Sequence, residues 1–152
     1  MDDIKKNLDR ALGKAKDLAF MKAANWIIVG GGSPKSGPER IELNGLPGTG
    51  KTSIVREWAQ EHDGEINFVE YSAPKLSVQR IDGSPVLFST DEIDRMDRFD
   101  TVLFIDDYQY LKEDVEEQLN RLYVDCAVAD PTVPGGERIL KGLILVIAAK
   151  TV

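Results

Sequence analysis

One eight-residue segment constrains the fold of this chain more than any other feature of the sequence. It runs Gly45-Leu46-Pro47-Gly48-Thr49-Gly50-Lys51-Thr52 and fills the pattern G-x-x-x-x-G-K-[ST]. Residues 41–43 before it have the pattern of a short strand, and residues 53–58 after it have the pattern of a helix. A strand that passes through a glycine-rich turn into a helix indicates an α/β fold.

Each fixed position of this segment has a physical reason. The glycines let successive backbone N–H groups turn inward and form a nest for anions, and the following helix adds the positive end of its dipole. Lys51 is placed to neutralise the β- and γ-phosphates of a nucleotide, and the Thr52 hydroxyl is placed to bind Mg²⁺. The alternative is a surface turn with an incidental lysine, which the flanking strand and helix argue against. We therefore predict that ATP with Mg²⁺ binds at Gly45, Pro47, Gly48, Thr49, Gly50, Lys51, Thr52 and Ser53.

The rest of the chain alternates strands and helices after an N-terminal helix. An amphipathic helix is predicted over residues 3–22, and a strand over Trp26–Val29. The charges on that helix are expected to form a solvated face. Further strands are predicted over residues 40–43, 66–71, 101–105 and 143–149, and helices over residues 51–61, 89–99 and 111–124. This order predicts a three-layer α/β sandwich with a mainly parallel sheet, divided into an N-terminal helix (residues 1–24) and a core (residues 25–152).

A phosphate-binding loop needs an acidic partner on a neighbouring strand, and two segments compete for that role. Asp106 and Asp107 follow an uninterrupted apolar run, which is typical of a buried strand. Asp91 and Glu92 follow Ser89 in a capping-box pattern, so we predict that they begin a helix. A strand-ending turn is the alternative for the Asp106-Asp107 pair. Adjacent carboxylates repel each other unless a cation compensates them, which favours a metal site with Asp106 as ligand.

Composition excludes several classes of protein. The 152 residues are 42% apolar and 30% charged, which suits one globular domain. Cys126 cannot form an internal disulfide, so a reducing, cytoplasmic setting is expected, and with His62 as the one histidine a zinc site of the usual kind is excluded. The longest apolar stretch, residues 143–149, is too short to span a bilayer. The net charge of −7 argues against a surface built mainly for nucleic acid.

With both motifs placed, residues 25–152 resemble the nucleotide-binding core of the AAA+ ATPases, and most of all the MoxR-like and dynein-related branch. The resemblance implies a phosphate loop on the first core strand, the acidic pair on the third and a polar sensor at the end of the fourth. Thr151 would then be the sensor, with Lys150 beside it. Lys51, Asp107 and Thr151 would be the catalytic residues. Hydrolysis would drive the remodelling of a protein partner, within a homo-oligomeric ring.

Two departures from that family bear on activity. The family usually has glutamate where this chain has Asp107, and a misplacement of the order of one methylene can cost ~10²-fold in rate. The chain ends where the family continues into a fifth strand, an arginine finger and a helical lid. We expect a truncated core or a naturally minimal protein, and slow hydrolysis, since a missing arginine finger costs about 10³- to 10⁵-fold. Arg121 and Arg138 could act on a neighbouring subunit, although surface ion pairs are the commoner role of arginines.

Several segments allow two interpretations each. Trp26–Val29 could line an adenine pocket or form a plain core strand. The segment Ile81-Asp82-Gly83-Ser84-Pro85 lies where the family places a pore loop, but it lacks the usual aromatic residue, which favours a simple turn. Tyr108 and Tyr110 could belong to the core or to an interface. The composition of residues 132–138, with one proline and two glycines, indicates a tight turn within a hairpin.

Two other functional classes compete with the ATPase. A nucleotide-dependent scaffold with little turnover fits the short Asp107 side chain and the missing lid. A small kinase would need a basic lid over its acceptor, and the sequence shows no such cluster. The sequence also lacks the Asn-Lys-x-Asp stretch that reads guanine, which favours ATP over GTP.

Overall fold

The computed structural model describes residues 5, 6, 8–10, 12, 13, 26–29, 43–45, 51–140 and 144–151. Nine strands lie in these ranges: β1 Trp26–Val29, β2 Leu43–Gly45, β3 Asn67–Ser72, β4 Gln79–Ile81, β5 Ser84–Val86, β6 Thr101–Asp106, β7 Ala127–Ala129, β8 Glu137–Ile139 and β9 Ile144–Thr151. The three full helices are α1 Lys51–Glu61, α2 Thr90–Arg98 and α3 Glu113–Asp125. Short 3₁₀ turns cover Ala73–Lys75 and Tyr108–Tyr110. Residues 5, 6, 8–10, 12 and 13 are also helical.

The predicted elements are present, with small shifts at their ends. α1 has the predicted bounds, and β1 likewise coincides with the predicted strand. β3 and β9 each begin one residue later than predicted, and β9 continues to Thr151. α3 begins at Glu113, two residues after the predicted start, because Leu111 still closes the preceding 3₁₀ turn through its N–H. Part of the predicted strand over residues 40–43, part of the predicted helix over residues 3–22 and the predicted loop after β1 lie outside the described residues.

Five strands form one parallel sheet centred on β9. β6 pairs with β9 on one side and with β3 on the other, and β1 and β2 also pair with β9. β1 pairs with the first half of β9, where Trp26 faces Ile144, and β2 pairs with its last three residues. β6 is buried almost throughout, and residues 144–149 of β9 are all buried, as expected for strands covered on both faces.

Helices cover both faces of this sheet. On one face, Val55 and Trp58 of α1 pack against Phe104 and Ile147, together with Leu8 of the N-terminal helical residues. On the other face, a second cluster joins α2 and α3 to the sheet through Ile93, Met96, Val115, Leu119, Leu122, Leu103, Ile105 and Val146. The three-layer α/β sandwich with a parallel sheet is therefore confirmed. The division of the chain at residue 25 stays a prediction.

Two small hairpins project from this sandwich. β4 and β5 are joined by Asp82 and Gly83, which both have positive φ (51° and 81°), as two-residue hairpin turns require. The segment around Gly83 is thus the simple turn that its composition favoured. β7 and β8 form the second hairpin, which confirms the predicted hairpin over residues 132–138.

Candidate functional site

The carboxyl ends of three parallel strands meet at one edge of the sheet. β2 ends at Gly45 and α1 begins at Lys51, so the glycine-rich segment joins that edge to the N-terminus of α1. Residues 46–50 and the side chain of Lys51 lie outside the described part of the chain. The strand before the segment and the helix after it, which the motif requires, are both present, and this edge is where ligands of parallel α/β sheets bind.

Thr52 and Asp106 come together at this edge. The Thr52 hydroxyl, in the first turn of α1, donates a hydrogen bond of 3.0 Å to Oδ2 of Asp106, the last residue of β6. These two residues are 54 positions apart in sequence, and each was predicted separately as a metal ligand. Mg²⁺ prefers oxygen donors, and usually keeps several waters around one or two protein groups. A hydroxyl and a carboxylate at one point fit that requirement.

Asp107 has an uncommon backbone conformation. Its φ and ψ are 54° and 42°, in the left-handed region that few residues other than glycine adopt. Its N–H donates a 2.9 Å hydrogen bond to Oδ1 of Asp106, and its carbonyl accepts one from Tyr110 at the end of the following 3₁₀ turn. Both oxygens of Asp106 are thus engaged, and the chain turns sharply at Asp107. Aspartate tolerates this conformation better than most side chains.

The predicted sensor lies beside the start of the phosphate loop. In the parallel pairing of β2 with β9, Gly45 faces Thr151 and Asn44 faces Lys150. The side chains of Thr151 and Lys150 lie outside the described part. The backbone alone brings the predicted sensor position to the same edge as Gly45 and Asp106.

The competing acidic segment is a helix start, as predicted. Ser89 Oγ accepts a 3.2 Å hydrogen bond from the Glu92 N–H, and the Glu92 carboxylate accepts one of 2.9 Å from the Ser89 N–H. Glu92 also accepts a short hydrogen bond from the Tyr71 hydroxyl. Burial, followed by this bond to Glu92, raises the pKa of Tyr71 far above its usual value. Glu92 therefore has a complete structural role in the cap of α2.

The two arginines considered for action in trans are engaged within the chain. Arg121 forms an ion pair with Glu137. Arg138 lies 2.6 Å from Asp94, 2.8 Å from Asp97 and 3.7 Å from the buried Asp130. The ion-pair interpretation is therefore confirmed for both residues.

The tyrosines after the acidic pair differ in their surroundings. Tyr108 packs against the core cluster on the α3 side, and its hydroxyl lies 3.0 Å from that of Tyr123. Burial raises the pKa of Tyr108. Tyr110 is 63% exposed. Tyr108 thus packs against the core, whereas Tyr110 is exposed.

One polar cluster was not anticipated from the sequence. Asp9, predicted to lie on a solvated face, accepts a 2.8 Å hydrogen bond from the indole N–H of Trp58 and lies 3.0 Å from His62 Nε2. His62 Nδ1 lies 2.9 Å from Glu65. Trp58 is fully buried, and a buried indole N–H needs a partner. The need of this N–H for a hydrogen-bond partner could be predicted from the sequence, but the identity of Asp9 as that partner could not.

Among the described residues, no cluster of three or more His, Cys, Asp or Glu side chains could hold a metal ion. No helix in the same ranges is long and apolar enough to cross a membrane.

Comparison with known proteins shows the family. Residues 41–149 match the model of the ATPase family associated with various cellular activities (AAA). A solved point mutant of RuvB from Thermotoga maritima is 22% identical, with a TM-score of 0.50 over 97% of this chain and 39% of that chain. The Thermotoga maritima RuvB Holliday junction branch migration motor is also 22% identical, with a TM-score of 0.47 over 99% of this chain and 39% of that chain.

The likeness to RuvB shows the fold alone, and this chain spans about two fifths of the length of those structures. No curated protein matches the sequence. The family match is different, because it covers well over half of the chain and runs from before the phosphate loop to Ala149 within β9. The chain therefore belongs to the AAA family of ATPases.

Proposed function

We propose that this chain binds ATP with Mg²⁺ on residues 45–52 and hydrolyses it, and that hydrolysis drives the remodelling of a protein partner. The hydrogen bond between Thr52 and Asp106 carries this proposal. It brings the hydroxyl of the phosphate-loop motif onto the carboxylate of the acidic pair, at the sheet edge where ligands of this fold class bind. Thr52 and Asp106 would hold Mg²⁺ there, and the metal would supply positive charge that offsets the charge of the phosphates.

Different residues of the chain would hold the phosphates, hold the metal and contact the reacting groups. Backbone N–H groups of the loop Gly45–Thr52 would hold the phosphates, and Lys51 would balance their charge. Thr52 and Asp106 would hold the metal through oxygen atoms. Thr151, whose backbone pairs with Gly45, would contact the terminal phosphate or the attacking water.

Asp107 is the proposed general base. It would accept a proton from water as the water oxygen bonds to the terminal phosphorus and the bond from that phosphorus to the ADP oxygen breaks. Asp107 directly follows Asp106, the last residue of β6, and its left-handed backbone turns the chain at the carboxyl end of that strand. Its short side chain reaches less far than glutamate would, and slow turnover follows from that.

We also propose a cellular setting for this activity, on the basis of the resemblance to the family. We place the chain in the MoxR-like and dynein-related branch, acting in the cytoplasm as part of a homo-oligomeric ring whose lid and arginine finger come from other segments or subunits. The intramolecular ion pairs of Arg121 and Arg138 favour a finger from elsewhere. The net charge of −7 favours a protein partner over nucleic acid.

A second candidate is a nucleotide-dependent scaffold that turns over little ATP. The observation that favours it is Asp107, which combines a side chain one methylene shorter than glutamate with a constrained backbone. Binding would then change the conformation of the edge formed by β2, β6 and β9 without rapid hydrolysis.

The central experiment measures the binding of fluorescent ATP and GTP analogues, with and without Mg²⁺. Wild type is compared with Lys51→Ala and with Lys75→Ala, which removes an exposed lysine from the 3₁₀ turn after β3. We expect Mg²⁺-dependent binding that prefers adenine, is lost in Lys51→Ala and persists in Lys75→Ala. Equal binding by all three proteins, or binding by none of them while folded, would contradict the proposal. ADP release by the wild type then separates the ATPase from the scaffold.

A further inference from the structure

Arg56 and Glu70 form a two-pronged ion pair next to the proposed metal site. Arg56 Nε and Nη2 donate hydrogen bonds of 2.7 and 2.6 Å to the two carboxylate oxygens of Glu70. These bonds raise the pKa of Arg56 and lower that of Glu70. Such paired bonds fix the relative orientation of the two groups, which a single ionic contact does not.

Glu70 lies on the same face of the sheet as Asp106. Side chains alternate between the faces of a strand, and Phe68 stacks with Phe104 in the core cluster beneath α1. Glu70 therefore shares the α1 face with Phe68, as Asp106 shares it with Phe104. In the register of the two strands, Glu70 faces Phe104, two residues before Asp106.

Arg56 lies one helical turn after Thr52 on α1. The first two turns of this helix are thus attached to two neighbouring strands: Thr52 to the end of β6, and Arg56 to β3. The hydrogen bond and charge of Glu70, and then the charge of Asp106, raise the pKa of Arg56.

Core packing of Val55 and Trp58 already holds α1 on the sheet, and the ion pair adds an attachment to β3 outside that core. An open cleft of about 530 Å³ lies between α1 and β3 there, and Arg56, Phe68 and Glu70 are among its lining residues. Because the ion pair spans this cleft, it limits how far the start of α1 can rotate or move away from the sheet. Metal ligands tolerate displacements of only about 0.5 Å before the site weakens.

We propose that Arg56 and Glu70 are positioning residues for the metal end of the nucleotide site, because they hold the start of α1 where the Thr52 hydroxyl meets Asp106. This role rests on the proposed function, since it acts on the Mg²⁺ ligands named there. It acts mainly on the metal, because Thr52 lies at the start of α1 whereas most of the phosphate-binding backbone precedes this helix. The expected signature is therefore a larger change in Mg²⁺ dependence than in Mg²⁺-free binding.

The test titrates Mg²⁺ at a fixed concentration of a fluorescent ATP analogue, for wild type, Glu70→Gln and Arg56→Lys. We expect the half-saturating Mg²⁺ concentration to rise on the order of 10-fold in both variants, as for other residues that orient metal ligands. Nucleotide affinity in EDTA should stay within about twofold of wild type, since these residues do not hold the phosphates. The exchange Arg56→Glu with Glu70→Arg should restore part of the Mg²⁺ affinity.

Matched controls separate positioning from a general loss of structure. Glu57→Gln removes another ion pair of the same helix, with Lys5 at 3.2 Å, and should leave the Mg²⁺ titration unchanged. Glu70→Gln added to Thr52→Ala should cause no further shift, because the pair acts through Thr52. Urea unfolding midpoints of all variants report whether each one remains folded, and Arg56→Lys serves if Glu70→Gln does not fold.

The outcomes distinguish this role from the proposed function. If Thr52→Ala raises the Mg²⁺ requirement but Glu70→Gln and Arg56→Lys match wild type, the positioning role is wrong and the proposed function stands. An equal shift in Glu57→Gln would also overturn the positioning role. If wild type shows no Mg²⁺-dependent binding at all, both proposals are wrong.

Discussion

The indole N–H of Trp58 donates a hydrogen bond to Asp9, which joins the N-terminal helical residues to the helix that begins at the phosphate loop. His62 lies between Asp9 and Glu65 and strengthens this contact when it is protonated. Burial opposes its charged form, but the bonds to Glu65 and Asp9 outweigh burial and raise the pKa of His62. Burial likewise opposes the charge of Asp9, and the bonds from Trp58 and His62 lower its pKa.

These shifts predict how stability depends on pH. The contribution of His62 is complete below its unfolded pKa of 6.5 and is lost as the pH rises through the higher folded pKa. The contribution of Asp9 is complete above 3.8 and is lost as the pH falls through its lowered folded pKa. We therefore expect a higher urea midpoint at about pH 5.5 than at about pH 8.5. His62→Gln should reduce that difference, and since His62 is the one histidine, an unchanged difference would contradict the assignment.

Substitutions of Asp107 should change the rate of ATP hydrolysis and the stability of the fold in different ways. Asp107→Asn keeps the left-handed backbone but cannot accept a proton, so ATP hydrolysis should fall at least ~10²-fold with nucleotide affinity unchanged. Asp107→Glu should raise the rate of hydrolysis, because it restores the longer reach, and should lower the free energy of unfolding by about 1 kcal/mol, because glutamate fits this conformation less well. Steady-state ADP release and urea unfolding measure the two quantities. Slower hydrolysis in Asp107→Glu would show that reach does not limit the rate.

Replacement of Arg138 should lower the free energy of unfolding more than replacement of Arg121. Asp130 is fully buried, and within the described part of the chain its Oδ2 accepts no hydrogen bond and lies 3.7 Å from Arg138. The Thr132 N–H and hydroxyl donate hydrogen bonds to Oδ1 of Asp130, so Arg138→Met leaves the buried carboxylate without a cation beside Oδ2 and should lower the free energy of unfolding by about 2 kcal/mol. The control Arg121→Met removes an exposed ion pair and should cost less than about 1 kcal/mol. Adding Asp130→Asn to Arg138→Met should recover part of the loss, whereas equal effects of the two arginines would contradict this account.

We expect Cys126 to react slowly with alkylating reagents in the folded protein. Burial, and then the charge of Asp97, raises the pKa of this thiol to about 11 from 9.0. A shift of that size reduces the reactive thiolate at pH 8 by about 100-fold relative to the unfolded chain. Iodoacetamide labelling in buffer and in urea measures the ratio, with one site because Cys126 is the single cysteine. Similar rates in both conditions would show that the thiol is accessible in the folded protein.

The features that could be predicted from the sequence are those with local causes. α1 follows from its glycine-rich N-terminus and from apolar spacing within eleven residues, and α2 from Ser89 and Glu92, which lie three positions apart. Asp106 was assigned to the metal site because a continuous apolar run preceded it, and the structure brings Thr52 to it. These signals are short-range, because the capping hydrogen bonds and the apolar spacing that produce them involve residues close together in the sequence.

The features that could not be predicted depend on contacts between distant residues. Nothing near Asp9 in sequence marks it as the partner of Trp58, 49 positions later. The ion pairs of Arg138 with Asp94 and Asp97 join a hairpin strand to a helix more than forty positions earlier. Arginine and aspartate are common on any surface, so their types carry no information about which pairs form.

The central place of β9 has a consequence for how the protein is made. β9 follows every other strand of the parallel sheet in sequence, yet β1, β2 and β6 all pair with it. During synthesis, β1 and β2 leave the ribosome more than ninety residues before their partner, and β3 and β6 can pair only with each other until then. The apolar strand β1 therefore has no native partner until β9 is released, and the pairing of β1, β2 and β6 with β9 forms late.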